Sequence, residues 1–209
     1  GQFKKTFGGP EAPYQFANTH KIFIDRRFEP ARVFCCDRGN KRILHTDLDG
    51  KILGGILTVT AVAGTNTFQR SFIIKAENPG KELVAKDLAT IPNTKGFDKL
   101  LEQETHWNHI IAADGQPVVA LDKGYGITQL TKPVPTFEQV WNWKQNLRGG
   151  AKLYQTKQKD AVAYLTAKGR TATDKQIELE TFARWNGGTY HVWDESTKQW
   201  VRNPNILCD

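Results

Sequence analysis

The chain has 209 residues, and Lys plus Arg exceed Asp plus Glu by 29 to 22, a net charge of +7. That length allows one large domain or two small ones. Thirty-nine per cent hydrophobic and 11% aromatic residues exclude a disordered chain, and the absence of any apolar run of about 18 residues excludes a helical membrane span. The positive balance predicts attraction to polyanions: nucleic acid, anionic membranes or bacterial cell-wall polymers. The basic residues are scattered rather than blocked, unlike the tails of nucleic-acid binders.

The N-terminal stretch GQFKKTFGGP has no apolar segment of the signal-peptide type, and the chain starts with Gly and contains no Met. It is expected to be a processed piece of a longer protein. KIFIDRRF and ARVFCC read as strands separated by Glu-Pro. Cys35, Cys36 and Cys208 cannot all pair, so one bridge from Cys208 to either neighbour and three free thiols are both open. DLDG from Asp47 resembles a calcium loop only faintly and reads as a turn. ILTVTAV and FQRSFII alternate with period two around a Gly-Thr-Asn turn, which predicts a β-hairpin. Together these segments predict a small β-sandwich over residues 1–85.

After Asn78-Pro79-Gly80 the period becomes helical, and a second, mainly α unit is expected over 86–209, giving an α+β chain. In FDKLLEQETHWNH the residues Phe97, Leu100, Leu101 and Trp107 form one stripe, and Glu104 lies on it while Glu102 lies opposite. A carboxyl on an apolar face is desolvated and holds its proton toward neutral pH, as a general acid requires. A snorkelling or Arg-paired glutamate is the alternative reading of the same position. Thr136 opens a helix with a capping box to Gln139, and Gly149-Gly150 within it predicts either a break or a close backbone contact. Thr173 or Asp174 caps a further helix that Gly187-Gly188 ends, and HVWDESTKQWVRN reads as a terminal hairpin.

Four segments, in order, resemble the lysozyme-like family of soluble lytic transglycosylases and goose-type lysozymes. Glu104-Thr105-His106-Trp107-Asn108 resembles the family's Glu-Ser-x-Phe-Asn, whose Glu is the catalytic acid. Gly124-Tyr125-Gly126-Ile127-Thr128-Gln129-Leu130 is similar to the cleft-lining Gly-x-Gly-Leu-Met-Gln-Leu. Asn146-Leu147-Arg148-Gly149-Gly150-Ala151 resembles Asn-Ile-x-x-Gly-Ala, a helix packed behind the site, and Arg184-Trp185-Asn186-Gly187-Gly188 resembles Ala-Tyr-Asn-Ala-Gly, whose Asn and aromatic contact substrate. The resemblance covers about residues 95–190; Thr105 replaces Ser but keeps a hydroxyl, and Thr128 replaces Met.

The resemblance implies a muramidase cutting the β-1,4 bond between N-acetylmuramic acid and N-acetylglucosamine, with Glu104 as acid. Asp122 is the expected base because goose-type lysozymes carry an aspartate just upstream of the Gly-x-Gly; Asp114 is the second choice, and Asp122 as a plain turn residue is equally open. A water-activating Asp122 belongs roughly 6.5–9.5 Å from Glu104. Without it, the sugar's own 6-hydroxyl would attack. Thr105, Tyr125, Gln129, Tyr154, Asn186 and Tyr190 are candidate sugar contacts, although Tyr154 and Trp185 lie on helices and fit a core equally well. His106 and His109 flank the acid without a third ligand and are expected at the surface, with no metal or cofactor.

The expected partner is therefore peptidoglycan, met in the bacterial periplasm or cell wall after export within a longer chain, with an immunity or delivery protein as a further partner. A monomer is expected. A non-catalytic glycan-binding module and a basic nucleic-acid-binding domain are the competing classes.

Overall fold

The computed structural model describes residues 15–206 except 114. The chain is mixed α+β. Strands β1 (Thr19–Asp25), β2 (Arg32–Asp37) and β3 (Arg42–Thr46) form an antiparallel meander in that order. The register sets Ile22 beside Cys35 and Cys35 beside Leu44. Cys35, Leu44 and Ile52 make a small core on that face, with Phe16 against it. Cys35 is buried and Cys36 exposed, and a bridge from either to Cys208 lies outside the described residues.

β4 (Gly55–Ala63) and β5 (Asn66–Ile74) form the expected hairpin, joined through Gly64 at φ +62°. The hairpin does not stack on the meander as a sandwich requires; nearly every residue along it is exposed. Its alternation stabilises the pairing without supplying an opposing sheet. At the DLDG turn, the Asp47 carboxylate accepts from the amides of Asp49 and Lys51, each at 2.8 Å, which is turn chemistry.

Helix α1 (Lys81–Leu88) begins at Gly80, so a boundary after residue 85 would cut it; the change of structure falls at Gly80. α2 (Phe97–Thr105) follows. The single helix expected after Thr136 is two: α3 (Phe137–Trp141) and α4 (Trp143–Thr166). Asn142 leaves helical geometry at φ −118°, ψ 107°, and its side chain caps α4 by accepting from the Lys144 amide at 3.1 Å. Gly149-Gly150 stays helical. A Cβ on Gly150 would lie 2.6 Å from Thr128, so close contact rather than a break explains the pair. Thr173 caps α5 (Asp174–Trp185) with a full capping box, and β6 (His191–Asp194) pairs with β7 (Gln199–Arg202) as the terminal hairpin.

The principal core lies among the helices: Val84, Phe97, Leu100, Leu101, Trp107, Ile127, Trp143, Leu147 and Tyr154 pack in one cluster. The meander is tied to α3 by the buried Arg32 guanidinium, which pairs with Glu138 and lies 4.1 Å from the Phe28 ring centroid. Glu180 is fully buried on α5, and its Oε2 accepts from the amides of Tyr190 and His191 at 3.0 and 2.9 Å, fastening β6 to the helix.

Candidate active-site cleft

α2 buries Phe97, Leu100 and Leu101 almost completely. Its end is set by His106 and Trp107, both left-handed at φ 49° and 65°, whose amides return to Glu102 and Leu101. Glu104, the penultimate residue of the helix, is half-buried. Its Oε1 accepts from the indole Nε1 of Trp185 at 3.0 Å, which links α2 to the last residue of α5. Glu102 points the other way, exposed, against Lys81 and Trp107.

A cleft of about 1060 Å³ opens in front of Glu104, and Asp122, Gln129, Leu153, Trp185 and Asn186 line it with Lys132 and Lys157. Burial pushes the Glu104 carboxyl above its ordinary range. The Trp185 hydrogen bond opposes that rise, and the Asp122 carboxylate adds to it. Two carboxyl groups and two ammonium groups therefore share one concavity.

Asp122 stands at the tip of a tight loop in which the Ala120 amide donates to Gly124 O at 2.9 Å and the Lys123 amide returns to Ala120 at 3.0 Å. Its own Oδ1 accepts from the Gly124 amide at 3.1 Å. The turn role and the cleft position therefore coexist. Asp114 lies outside the described residues.

The segment after Asp122 is held from three sides. Tyr125 exchanges backbone bonds with Leu130, each 3.1 Å, around a 3-10 turn at Gly126–Thr128. Thr105 Oγ1 donates to Ile127 O at 2.9 Å. His109 Nδ1 accepts from the Ile127 amide at 3.1 Å, and with that nitrogen accepting, Nε2 donates to Val140 O at 3.0 Å. Asn146 Oδ1 takes both the amide and the hydroxyl of Thr128, while its Nδ2 donates to Tyr125 O and Gln139 O. Gly126 is required here, since it sits at φ +69° and a Cβ would lie 2.4 Å from the His109 ring. Gln129, left-handed at φ 48°, then turns its side chain back to Gly126 O at the cleft wall.

The candidate residues thus divide. Glu104, Asp122, Gln129 and Asn186 line one cleft. Thr105 is buried behind it, and Tyr125 contributes backbone pairing without its side chain lining the cleft. Tyr190 lines an adjoining pocket of about 620 Å³ that shares Asn186 and Gly187 with the cleft and also presents Gln103 and Asn205. Tyr154 belongs elsewhere: it is 1% exposed, its hydroxyl donates to Lys95 O at 2.8 Å, and burial pushes its pKa up to about 12. It is a core residue bordering a separate depression with Lys95 and Glu178.

His109 reverses the surface expectation; it is 1% exposed, and burial lowers its pKa to about 4, whereas His106 is exposed. Lys132, Lys157 and Leu153 were not singled out by the sequence, because nothing local marks a lysine as facing a cleft. The Trp185 contact was within reach, since that residue directly precedes Asn186 in the segment already marked. No group of His, Cys, Asp and Glu capable of holding a metal occurs among the described residues, and no helix there is long and apolar enough to cross a membrane. No family model, curated protein or solved structure matches the chain.

Proposed function

We propose that the chain is a peptidoglycan muramidase acting on the β-1,4 bond between N-acetylmuramic acid and N-acetylglucosamine. The observation that carries the reading is Glu104: a half-buried carboxyl with raised pKa, held by Trp185 and facing a cleft that also contains Asp122, Gln129 and Asn186. Glu104 gives its proton to the leaving glycosidic oxygen. Asp122 takes a proton from water as the water oxygen attacks the anomeric carbon, and the product is inverted. Lys132 and Lys157 suit the carboxylates of muramic acid and its peptide stem. The adjoining pocket beyond Asn186 suits a substrate that is a polymer. Such an enzyme works in the bacterial periplasm or wall.

The test is turbidity loss of permeabilised bacteria with the wild type, Glu104→Gln and Asp122→Asn, followed by mass spectrometry of the released sugars. Activity in the wild type and its loss in Glu104→Gln is expected, with reducing ends in the product. Equal activity of both proteins removes Glu104 from catalysis, and 1,6-anhydro ends remove Asp122. Retained peptidoglycan pelleting without any lysis would leave a glycan-binding module instead.

A further inference from the structure

The β4–β5 hairpin is exposed on both faces, and from 55 to 74 its only charged residue is Arg70. The register places Leu57, Val59, Ala61, Phe68, Arg70 and Phe72 on one face. Thr58 with Ser71 and Thr60 with Gln69 make a hydroxyl and amide ladder on the other. Phe68 is 62% exposed, Val62 70% and Val59 50%. Among the described residues no strand pairs with the outer edge of β4. An isolated two-stranded hairpin is marginal in water, and native edges are normally blunted by Lys, Pro or a bulge. The β4 edge, Ile56 to Val62, carries none of these.

A second strand is the neighbour that would cover the apolar side chains and pair the edge groups together. Lipid would cover the apolar side chains, but it would leave the edge N–H and C=O groups unsatisfied. Charge then selects among strands. Pairing β5 with itself about its middle residue sets Arg70 against Arg70. Pairing β4 with itself antiparallel about Val59 sets Ile56 against Val62, Leu57 against Ala61 and Thr58 against Thr60, with no charge in the seam. The two Arg70 side chains then occupy the outer strands, three strand spacings or about 14 Å apart. That exceeds the Debye length of about 8 Å at physiological salt.

We infer that the protein forms a two-fold dimer in which β4 of two copies pairs into a four-stranded antiparallel sheet. The apolar face of each hairpin becomes continuous across the axis, and each β4 edge is closed while β5, which carries Arg70, stays outermost. This differs from the monomer expected at first, and it does not depend on the activity proposed above.

Light scattering or sedimentation across a hundredfold concentration range tests it. The wild type is expected to move from 23.6 kDa toward twice that mass. Val59→Lys, which sets two ammonium groups side by side on the axis, is expected to weaken association at least tenfold. Val59 is half-exposed, so the fold tolerates the change, and circular dichroism checks this. Arg70→Glu lies off the seam and is expected to leave the dimer intact. Amide exchange provides a second readout, slowing with concentration in β4 but not in β5. A wild type that stays monomeric at the highest concentration overturns the inference, whether or not it binds vesicles or another chain. A dimer untouched by Val59→Lys overturns it equally.

Discussion

The neutral, buried His109 makes the stability of the cleft region depend on acid in a defined window. Its pKa falls from 6.5 to about 4 because burial disfavours the imidazolium, and the bond from Nε2 to Val140 O only partly offsets this. Below 6.5 the unfolded chain therefore binds a proton that the folded chain refuses. Stability from this group is complete above about 6.5 and is lost as the pH falls toward 4. The gap, at about 1.36 kcal/mol per pH unit, amounts to about 3 kcal/mol. At 1% exposure no solvent screening reduces it.

His109→Gln isolates this contribution. It keeps a donor for Val140 O but strands the buried Ile127 amide, costing about 1–3 kcal/mol at pH 7.5. Urea denaturation at pH 7.5 and 4.5 should show the wild type losing more stability than the variant on acidification. His45, similarly buried and with its pKa lowered to about 4, titrates in both proteins and cancels in the comparison. Parallel stability curves for the two proteins would refute the neutral-imidazole argument.

Three further outcomes are expected. Trp185→Phe removes the indole donor that favours the charged form of Glu104, so the Glu104 pKa should rise in a carboxyl NMR titration, and a fall would contradict the assigned hydrogen bond. Gly126→Ala forces a Cβ into the His109 ring at positive φ and should cost at least about 2 kcal/mol in urea denaturation; an unchanged midpoint would mean the turn is not held as described. Glu138→Gln takes the paired carboxylate from the buried Arg32 guanidinium and should lower stability by about 3 kcal/mol in the same assay, whereas a loss below about 0.5 kcal/mol, the scatter of surface substitutions, would show that the pair does not anchor the meander to α3.

Several elements are legible in the sequence because their causes lie within a few residues. The stripe of Phe97, Leu100 and Leu101 makes α2 amphipathic and carries Glu104 toward the buried side. Thr136 and Thr173 meet their partners three residues on, and the alternation of β4 and β5 around Gly64 specifies a hairpin. β3 escapes such reading, since Arg42 to Thr46 is short and mixed, and its strand geometry comes from pairing with β2.

Tertiary contact decided the rest. Tyr154 has the same aromatic chemistry wherever it points, and only the packing of α4 against Phe97 and the Lys95 carbonyl turns it from the cleft into the core. The ring of His109 is held by Val140 on α3 and Ile127 in the Gly126–Thr128 turn, which reach it from 31 and 18 residues away. Local periodicity determined that an acid would lie on the greasy side of a helix. The facing of Asp122, Lys132 and Asn186 toward that acid arose only when distant segments packed together, because desolvation and Coulomb interaction depend on separation in space rather than along the chain.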